Sequence, residues 1–416
     1  MKISESITPS VITQLTSLLR DIADAIRVKT ASTTAIAPSK YASIIRDIQN
    51  VSILGKPTDW LELPEPEDNE IYMLLHIPSG GSERFAFKVN AQYSFTVEVG
   101  TIVDGAFVAA KSREIEATAV SPGLYEDQLN ASDFGNLTSD GRVQAVIHIT
   151  APIIYRWVNA SHSGAPNDHR DWYIVEIKGR CPMANMFMVG DNRQVYALSR
   201  LRYFYLYGEN QLKQVIFRNC VNLEAVYALG TSHVPYMGSM FYNCPALMVV
   251  PVLDASSSYA FTSMFYNCTR IKQVQIVNAT GITQCPYMFY NAVSLVSPPT
   301  FDTSQVTDMT YMYNTCTSLQ AIPVIDLASV TLIHAAFAGC QSLQTVRFTC
   351  SNPSWTGLDL DFTNAFLHHD AIVEMFNSLP TITTTHKITL TGNPGASELT
   401  DAEKTIVTDK GWTLTL

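Results

Sequence analysis

At 416 residues, 47% of them hydrophobic, the chain is long enough for about two to four domains and apolar enough for packed cores. A formal net charge of −10 argues against a nucleic-acid partner, which calls for a basic face. No apolar run approaches the roughly 20 residues of a membrane helix, and "MKISESITPS" lacks the basic start and apolar stretch of a secretory signal, so we expect no membrane insertion and synthesis in a cytoplasm.

Val11, Leu15, Leu18, Leu19, Ile22 and Ile26 fall at the spacing of an amphipathic helix over residues 11–26. A polar turn, "KTASTTAIAPSK", separates it from a second short helix, "YASIIRDIQN", with Tyr41, Ile44, Ile45 and Ile48 on one side. So short a segment cannot hide two apolar stripes within itself. Residues 1–52 are therefore expected to form a helical anchor that packs on another chain, with Leu15, Leu18, Ile22 and Ile26 at the assembly interface.

Residues 56–178 change to alternating, β-rich runs: "EIYMLLHI", "RFAFKV", "YSFTVEV", "GAFVAA", "VQAVIHIT", "IIYRWV" and "DWYIVEI". Turn signals such as "PSGG", "TSDG" and "SGAPND" divide them, which predicts an antiparallel, sandwich-like domain.

From residue 179 to 350 a period governs the chain. Phe217, Phe241, Phe265, Phe289, Tyr313 and Phe337 recur at a constant step of 24. Three places after each stand Cys220, Cys244, Cys268, Ala292, Cys316 and Cys340, and three further on Leu223, Leu247, Ile271, Leu295, Leu319 and Leu343. A fixed period of this length, with a leucine-led apolar phrase in every copy, predicts a leucine-rich-repeat solenoid whose coils share one core. Each coil should give one short strand to a parallel sheet. Side chains alternate along a strand, so Leu247, Val250 and Val252 are expected to point inward. The expected outward positions are Ala225 and Tyr227, Val249 and Pro251, Gln273 and Gln275, Ser297 and Pro299, Ala321 and Pro323, Thr345 and Arg347.

Five of the eight cysteines occupy one repeat position, and Ala292 fills the sixth copy, so we expect small, reduced core thiols. No CxxC or HxxxH pair supplies a metal site, and no cofactor is expected. Asn219, Asn243, Asn267 and Asn291 form one polar ladder, and Asp254, Asn278, Asp302 and Asp326 another. Both are expected to bond turn amides. Tyr242, Tyr266 and Tyr290, beside the core phenylalanines, either receive sugar faces or seal the coil edge.

After residue 350 the repeat phrase stops. A helical stretch around Met375 and Phe376, the strand "HKITL", a capping box from Thr400 to Glu403, a stop at Gly411 and the strand "WTLTL" predict an α/β cap over 351–416. Catalytic candidates are weak. His162, Asp168, His169 and Asp171 read as a solvated hairpin tip, and "HHD" at 368–370 and "DLD" at 359–361 as helix caps or water-facing groups. No phosphate loop, GxSxG elbow or HExxH occurs, so no enzyme is expected.

"FDTSQVTDMTYMYNTCTSL", residues 301–319, resembles the BspA-type leucine-rich repeat, a likeness that covers about residues 200–350. "IADAIRVKTASTTAIAPSKYASIIRDI" at 22–48, "DWLELP" at 59–64 and "ITLTGNPGASELTDAEKTIVTDKGWTLTL" at 388–416 resemble parts of bacteriophage tail and baseplate proteins that carry such repeats. Where that family often has a Trp-Gly-Asp-Gly turn, this chain has "VEVGTIVDG" at 97–105. The resemblance implies a virion structural protein of a phage tail or baseplate, docked to other tail proteins through residues 1–50 and forming a homo-oligomer such as a trimer. The outward face, which carries no charge except Arg347, suits a neutral, sugar-like ligand better than an ionic one. Tyr227, Gln273, Gln275 and Arg347 are therefore candidate contacts to a host glycan or receptor, with Tyr242, Tyr266 and Tyr290 as the competing edge. A bacterial cell-surface repeat adhesin or partner-binding protein is the alternative.

Overall fold

The computed structural model describes residues 56–79, 82–91, 93–117, 123–151, 154–159, 174–180, 183–188, 200–206, 212–352, 355 and 357–416. The chain divides into two compact units, Met1–Thr58 and Asp59–Leu416. Only residues 56–58 of the first are described, so the expected anchor, with Leu15, Leu18, Ile22 and Ile26, lies outside the described residues. The second unit is mainly β with few helices and carries a β-solenoid of about eight turns.

The strands of its first half are β1 (Glu70–Pro78), β2 (Ser82–Ala91), β3 (Phe95–Val103), β4 (Ala106–Ile115), β5 (Gly123–Asn130), β6 (Asn136–Leu137), β7 (Arg142–Thr150), β8 (Ile154–Asn159) and β9 (Ile174–Arg180). They continue as β10 (Met183–Met188), β11 (Tyr203–Leu206), β12 (Gln214–Ile216) and β13 (Ala225–Ala228). One sheet orders them β13-β11-β9-β1-β7-β3-β4, with β6 on β7, and a second β12-β10-β8-β2-β5. Pairing is antiparallel from β1 to β9. It then turns parallel, β9 to β11 to β13 in one sheet and β8 to β10 to β12 in the other. The solenoid therefore starts as a continuation of both sheets, and Ala225 on β13 bridges onward to Val249 of the next coil.

Period-two alternation sorts the central strands. Ile71, Met73, Leu75 and Ile77 of β1 and Val143, Ala145, Ile147 and Ile149 of β7 enter the main core, while Tyr72, Leu74 and Val146 face the other way. That outer face is covered by the "DWLELP" segment, through Trp60, Leu61 and Leu63. The Gln144 side chain pins the segment, accepting from the Leu61 amide at 2.8 Å and donating to the Asp59 carbonyl at 2.7 Å. Trp60 meets His76 edge to face, centroids 4.5 Å apart.

Burial under Trp60 pushes the His76 imidazole down to about 4. A histidine with a depressed value is neutral in the folded chain and protonated earlier in the unfolded one. Its contribution is thus intact above about 6.5 and lost as pH falls towards 4. We expect stability to drop across that window by up to about 1.4 kcal/mol per pH unit. Denaturant titrations at pH 7, 5.5 and 4.5 check this, with His76→Phe expected to flatten the slope.

In the solenoid, the six aromatic residues of the 24-residue column are all buried. Their rings lie nearly parallel, with successive centroids 5.4, 5.3, 5.4, 5.8 and 6.4 Å apart. Phe362 adds a seventh ring, stacked on Phe337 at 5.0 Å after a step of 25 residues, so the column outlasts the repeat phrase that ends near residue 350. Around each ring the backbone turns tightly and bonds to the next coil: Phe241 N donates to Met264 O at 2.9 Å and Asn243 N to Tyr266 O at 2.7 Å, and neighbouring coils repeat the pair.

The leucine side of each coil is a thinner ladder than the continuous sheet expected. It holds two short parallel pairs, β14 (Leu253–Asp254) with β15 (Ile276–Val277) and β16 (Ile325–Asp326) with β17 (Phe348–Thr349), plus single bridges such as Gln273 to Ser297 and Ala321 to Thr345. Pro251, Pro298, Pro299 and Pro323 lack the N–H a ladder needs.

The same prolines shift phase. Leu253 pairs with Ile276 and Ile325 with Phe348, one residue short of the repeat. Val252, expected inward, is consequently 50% exposed while Leu253 is buried, and Val324 likewise points out. Two residues expected outward are buried instead. Ala225 pairs with Tyr203, whose buried ring shields so small a neighbour, and Pro299 packs beside Phe301 and Pro323.

The C-terminal segment follows its sequence signals. β18 (Leu360–Asp361), β19 (His386–Thr389) and β20 (Trp412–Thr415) form a parallel sheet, with helix α1 (His369–Ser378) and helix α2 (Asp401–Thr408) between them. At α2, Thr400 Oγ1 accepts from Glu403 N and Glu403 Oε2 accepts from Thr400 N, completing the capping box. Gly411 follows in a left-handed conformation, φ 91°.

Candidate functional site

Two columns of side chains flank the buried phenylalanines. One residue after each stands the column Tyr242, Tyr266 and Tyr290, stacked at 4.6 and 4.8 Å with interplanar angles of 10° and 7°. Arg218 caps the stack from the preceding coil, its guanidinium 4.2 Å from the Tyr242 centroid. Ring faces within this stack cover one another, so it presents mainly edges. Burial, then the neighbouring Tyr242 and Tyr290 phenols, push the Tyr266 hydroxyl up. Of the two roles expected for these tyrosines, sealing the coil edge is the one this geometry supports along the stack.

Two residues before each phenylalanine lies the second column: Ser239, Ser263, Tyr287, Tyr311 and Ala335. All five have positive φ, at 57°, 54°, 57°, 55° and 48°. Tyr287 and Tyr311 stack at 5.1 Å, and His334 meets Tyr311 edge-on at 5.1 Å. The two columns touch, Tyr290 lying 5.9 Å from Tyr287 and 6.1 Å from Tyr311, the latter nearly perpendicular at 76°. No motif signalled Tyr287 or Tyr311; only their spacing of 24 does.

The concave candidates differ in their surroundings. Gln273 and Gln275 are exposed. Tyr227 is half-buried and stacked on Tyr205 at 4.7 Å, and its hydroxyl is pushed up by burial and then by Glu176. Arg347 is engaged within the chain, its Nε donating to Glu374 on α1 at 2.8 Å and its second guanidinium nitrogen to the same oxygen. Its charge is thereby compensated by the chain itself.

The polar ladders serve the coil. Asn243 donates to Asn219, Asn267 to Asn243 and Asn291 to Asn267 through side-chain amides at 2.9, 2.7 and 2.7 Å. Each of these asparagines has φ between 57° and 63°, a conformation asparagine tolerates well, and Gly339 fills the slot in a later coil at φ 76°. Asp254, Asp302 and Asp326 accept from the amide two residues on, each at 2.9 Å.

Among the described residues every cysteine is a free thiol. The sulfurs of Cys244, Cys268, Cys316 and Cys340 lie 3.0–3.2 Å from the carbonyls of Phe217, Phe241, Phe289 and Tyr313, one coil back. Burial pushes the Cys268 and Cys340 thiols up to about 12, and it pushes Cys244 and Cys316 well up too. Cys350 is only half-buried. With N-ethylmaleimide at pH 7.5, peptide mapping should find Cys350 modified in the native protein. Cys244, Cys268, Cys316 and Cys340 should react only after unfolding, at least about a hundredfold more slowly while folded.

Other candidates resolve locally. His369 lies 3.0 Å from both Asp370 and Glu403, and Asp359 accepts from Lys387 N at 2.9 Å. His148 is held between Glu70 and Glu98 at 3.1 and 3.0 Å and stacks on Tyr72. His162, Asp168, His169 and Asp171 lie outside the described residues. No cluster of three or more potential metal ligands occurs among the described residues, and no helix among them is long and apolar enough to cross a membrane.

Fold and surface together define a mainly β repeat protein with an aromatic flank. Residues 211–321 and 256–349, overlapping stretches of the solenoid, match the model of a family described as "Mycoplasma protein of unknown function, DUF285". No curated protein and no solved structure matches the chain.

Proposed function

We propose that the chain is a non-catalytic structural and binding protein of a bacteriophage tail or baseplate, a tail-fibre or adhesin-type component of the virion. In this role the solenoid presents a repeat surface to the host or to neighbouring subunits. The carrying observation is that its repeated polar groups bond the coil itself, while the residues that vary from coil to coil, Ala225 and Pro299 apart, are exposed or partly exposed. The likeness of residues 22–48, 59–64 and 388–416 to tail and baseplate proteins supports the virion assignment. In the same reading residues 1–50 dock to other tail proteins, and a homo-oligomer such as a trimer forms around them. The antiparallel sheets of the first half act as a sandwich-like spacer, and the solenoid coils are BspA-type repeats.

A second reading, a bacterial cell-surface repeat adhesin, is favoured by one observation: the family whose model matches the solenoid is described from Mycoplasma, a bacterium. Antibody labelling under the electron microscope separates the two. Label on the tails of purified phage particles supports the first. Label on the envelope of uninfected cells replaces it with the second.

A further inference from the structure

We propose that Tyr287, Tyr290, Tyr311 and His334 form a binding site for a neutral saccharide chain on the flank of the solenoid, which gives a ligand class to the binding role proposed above and rests on it.

A bulky side chain at positive φ is disfavoured, because its Cβ approaches the carbonyl oxygen. Three other coils fill this position with Ser239, Ser263 and Ala335, so the turn does not call for a ring. Tyr287 and Tyr311 carry one nonetheless, at φ 57° and 55°. The asparagine column shows the contrast, since there the residue suits the conformation and its amide bonds the coil.

The second observation is where the stack stops. Beyond Tyr290 the next residue of its column is Asn314, buried and donating to the Ala335 carbonyl at 3.1 Å. The ladder thus has no fourth rung. Beside it Tyr287 and Tyr311 stack on each other at 22°, Tyr290 stands across them at 54° and 76°, and His334 closes on Tyr311 at 88°. A stacked pair with two rings set across it makes a corner, where Tyr242 and Tyr266 make only a flat stack.

The chemistry of the corner selects the ligand. Three phenols and an imidazole offer aromatic surface for the C–H face of a pyranose, with hydroxyls and ring nitrogens for its hydroxyl groups. Among the described residues no lysine or arginine lies over these rings to hold an acidic sugar, and the Asp308 carboxylate accepts from Thr310 N at 2.8 Å. A run of rings along the coil axis suits a chain better than a single sugar.

The test uses the full-length protein with dextran, mannan and galactan as probes, followed by calorimetry and by retardation in affinity gels. At least one probe should bind. The double variant Tyr287→Ser, Tyr311→Ser installs the residue that two other coils use at this turn, so it should melt cooperatively while binding weakens about tenfold, the loss of roughly one ring contact. Tyr287→Asn, Tyr311→Asn, with the residue best suited to positive φ, serves if the serine form fails to fold. Absence of binding to all three probes, or undiminished binding by a folded variant, overturns the site. If the parent adheres to host cells through another surface, the binding role survives and this site falls. If instead saccharides bind but the protein is found on neither phage tails nor cell envelopes, the site stands and the proposed function falls.

Discussion

Phe265→Ala should remove about 3–5 kcal/mol of stability, the usual cost of emptying a fully buried aromatic site. Phe265 lies between Phe241 at 5.3 Å and Phe289 at 5.4 Å, with coils on both sides held by main-chain bonds that leave little room for collapse. Two stacking contacts vanish together with the buried area. Because each coil touches only its neighbours, the defect weakens two interfaces and splits the column. Denaturant unfolding followed by circular dichroism should show a lower midpoint and a broader transition. A loss below about 1 kcal/mol would mean the column does not carry the solenoid.

The second large effect is expected at the asparagine ladder. Asn267→Ala places a methyl at φ 57° and deletes two side-chain bonds, to Asn243 and from Asn291, each 2.7 Å. We expect about 2–4 kcal/mol of destabilisation, combining a conformational cost with two lost bonds. Asn267→Gly accepts the conformation and loses only the bonds, so about 1–2 kcal/mol is expected. The difference between the variants isolates the backbone term. Equal losses would assign the whole effect to hydrogen bonding.

What could be read from the sequence follows from how strictly each position is constrained. Phe241, Cys244 and Leu247 answer one packing demand in every coil, so they recur visibly and their burial was foreseeable. Val252 was not. Its exposure comes from a one-residue phase shift beside Pro251, and a strict period of 24 cannot carry that information. Phe362 escaped for the same reason, one residue late. β5, "GLYEDQLN", is a strand despite a polar composition because β2 pairs along nearly its whole length, a tertiary contact with no local signal. At the candidate site, Tyr242, Tyr266 and Tyr290 stood out beside the core phrase. Tyr287 and Tyr311 did not, because their column holds serine and alanine elsewhere and only the backbone angles mark it as one position.

The bonds from Phe241 N to Met264 O and from Asn243 N to Tyr266 O have counterparts one coil on, so a coil meets its successor on nearly the terms on which it met its predecessor. A duplication or loss of 24 residues by unequal recombination within this stretch would therefore rejoin matching surfaces without a compensating change elsewhere. Selection can lengthen or shorten the reach of such a protein in whole steps of one coil, while any other insertion would have to be looped out at a turn. The identity of "MFYNC" at 240–244 and 264–268 is what a recent step of that kind would leave behind.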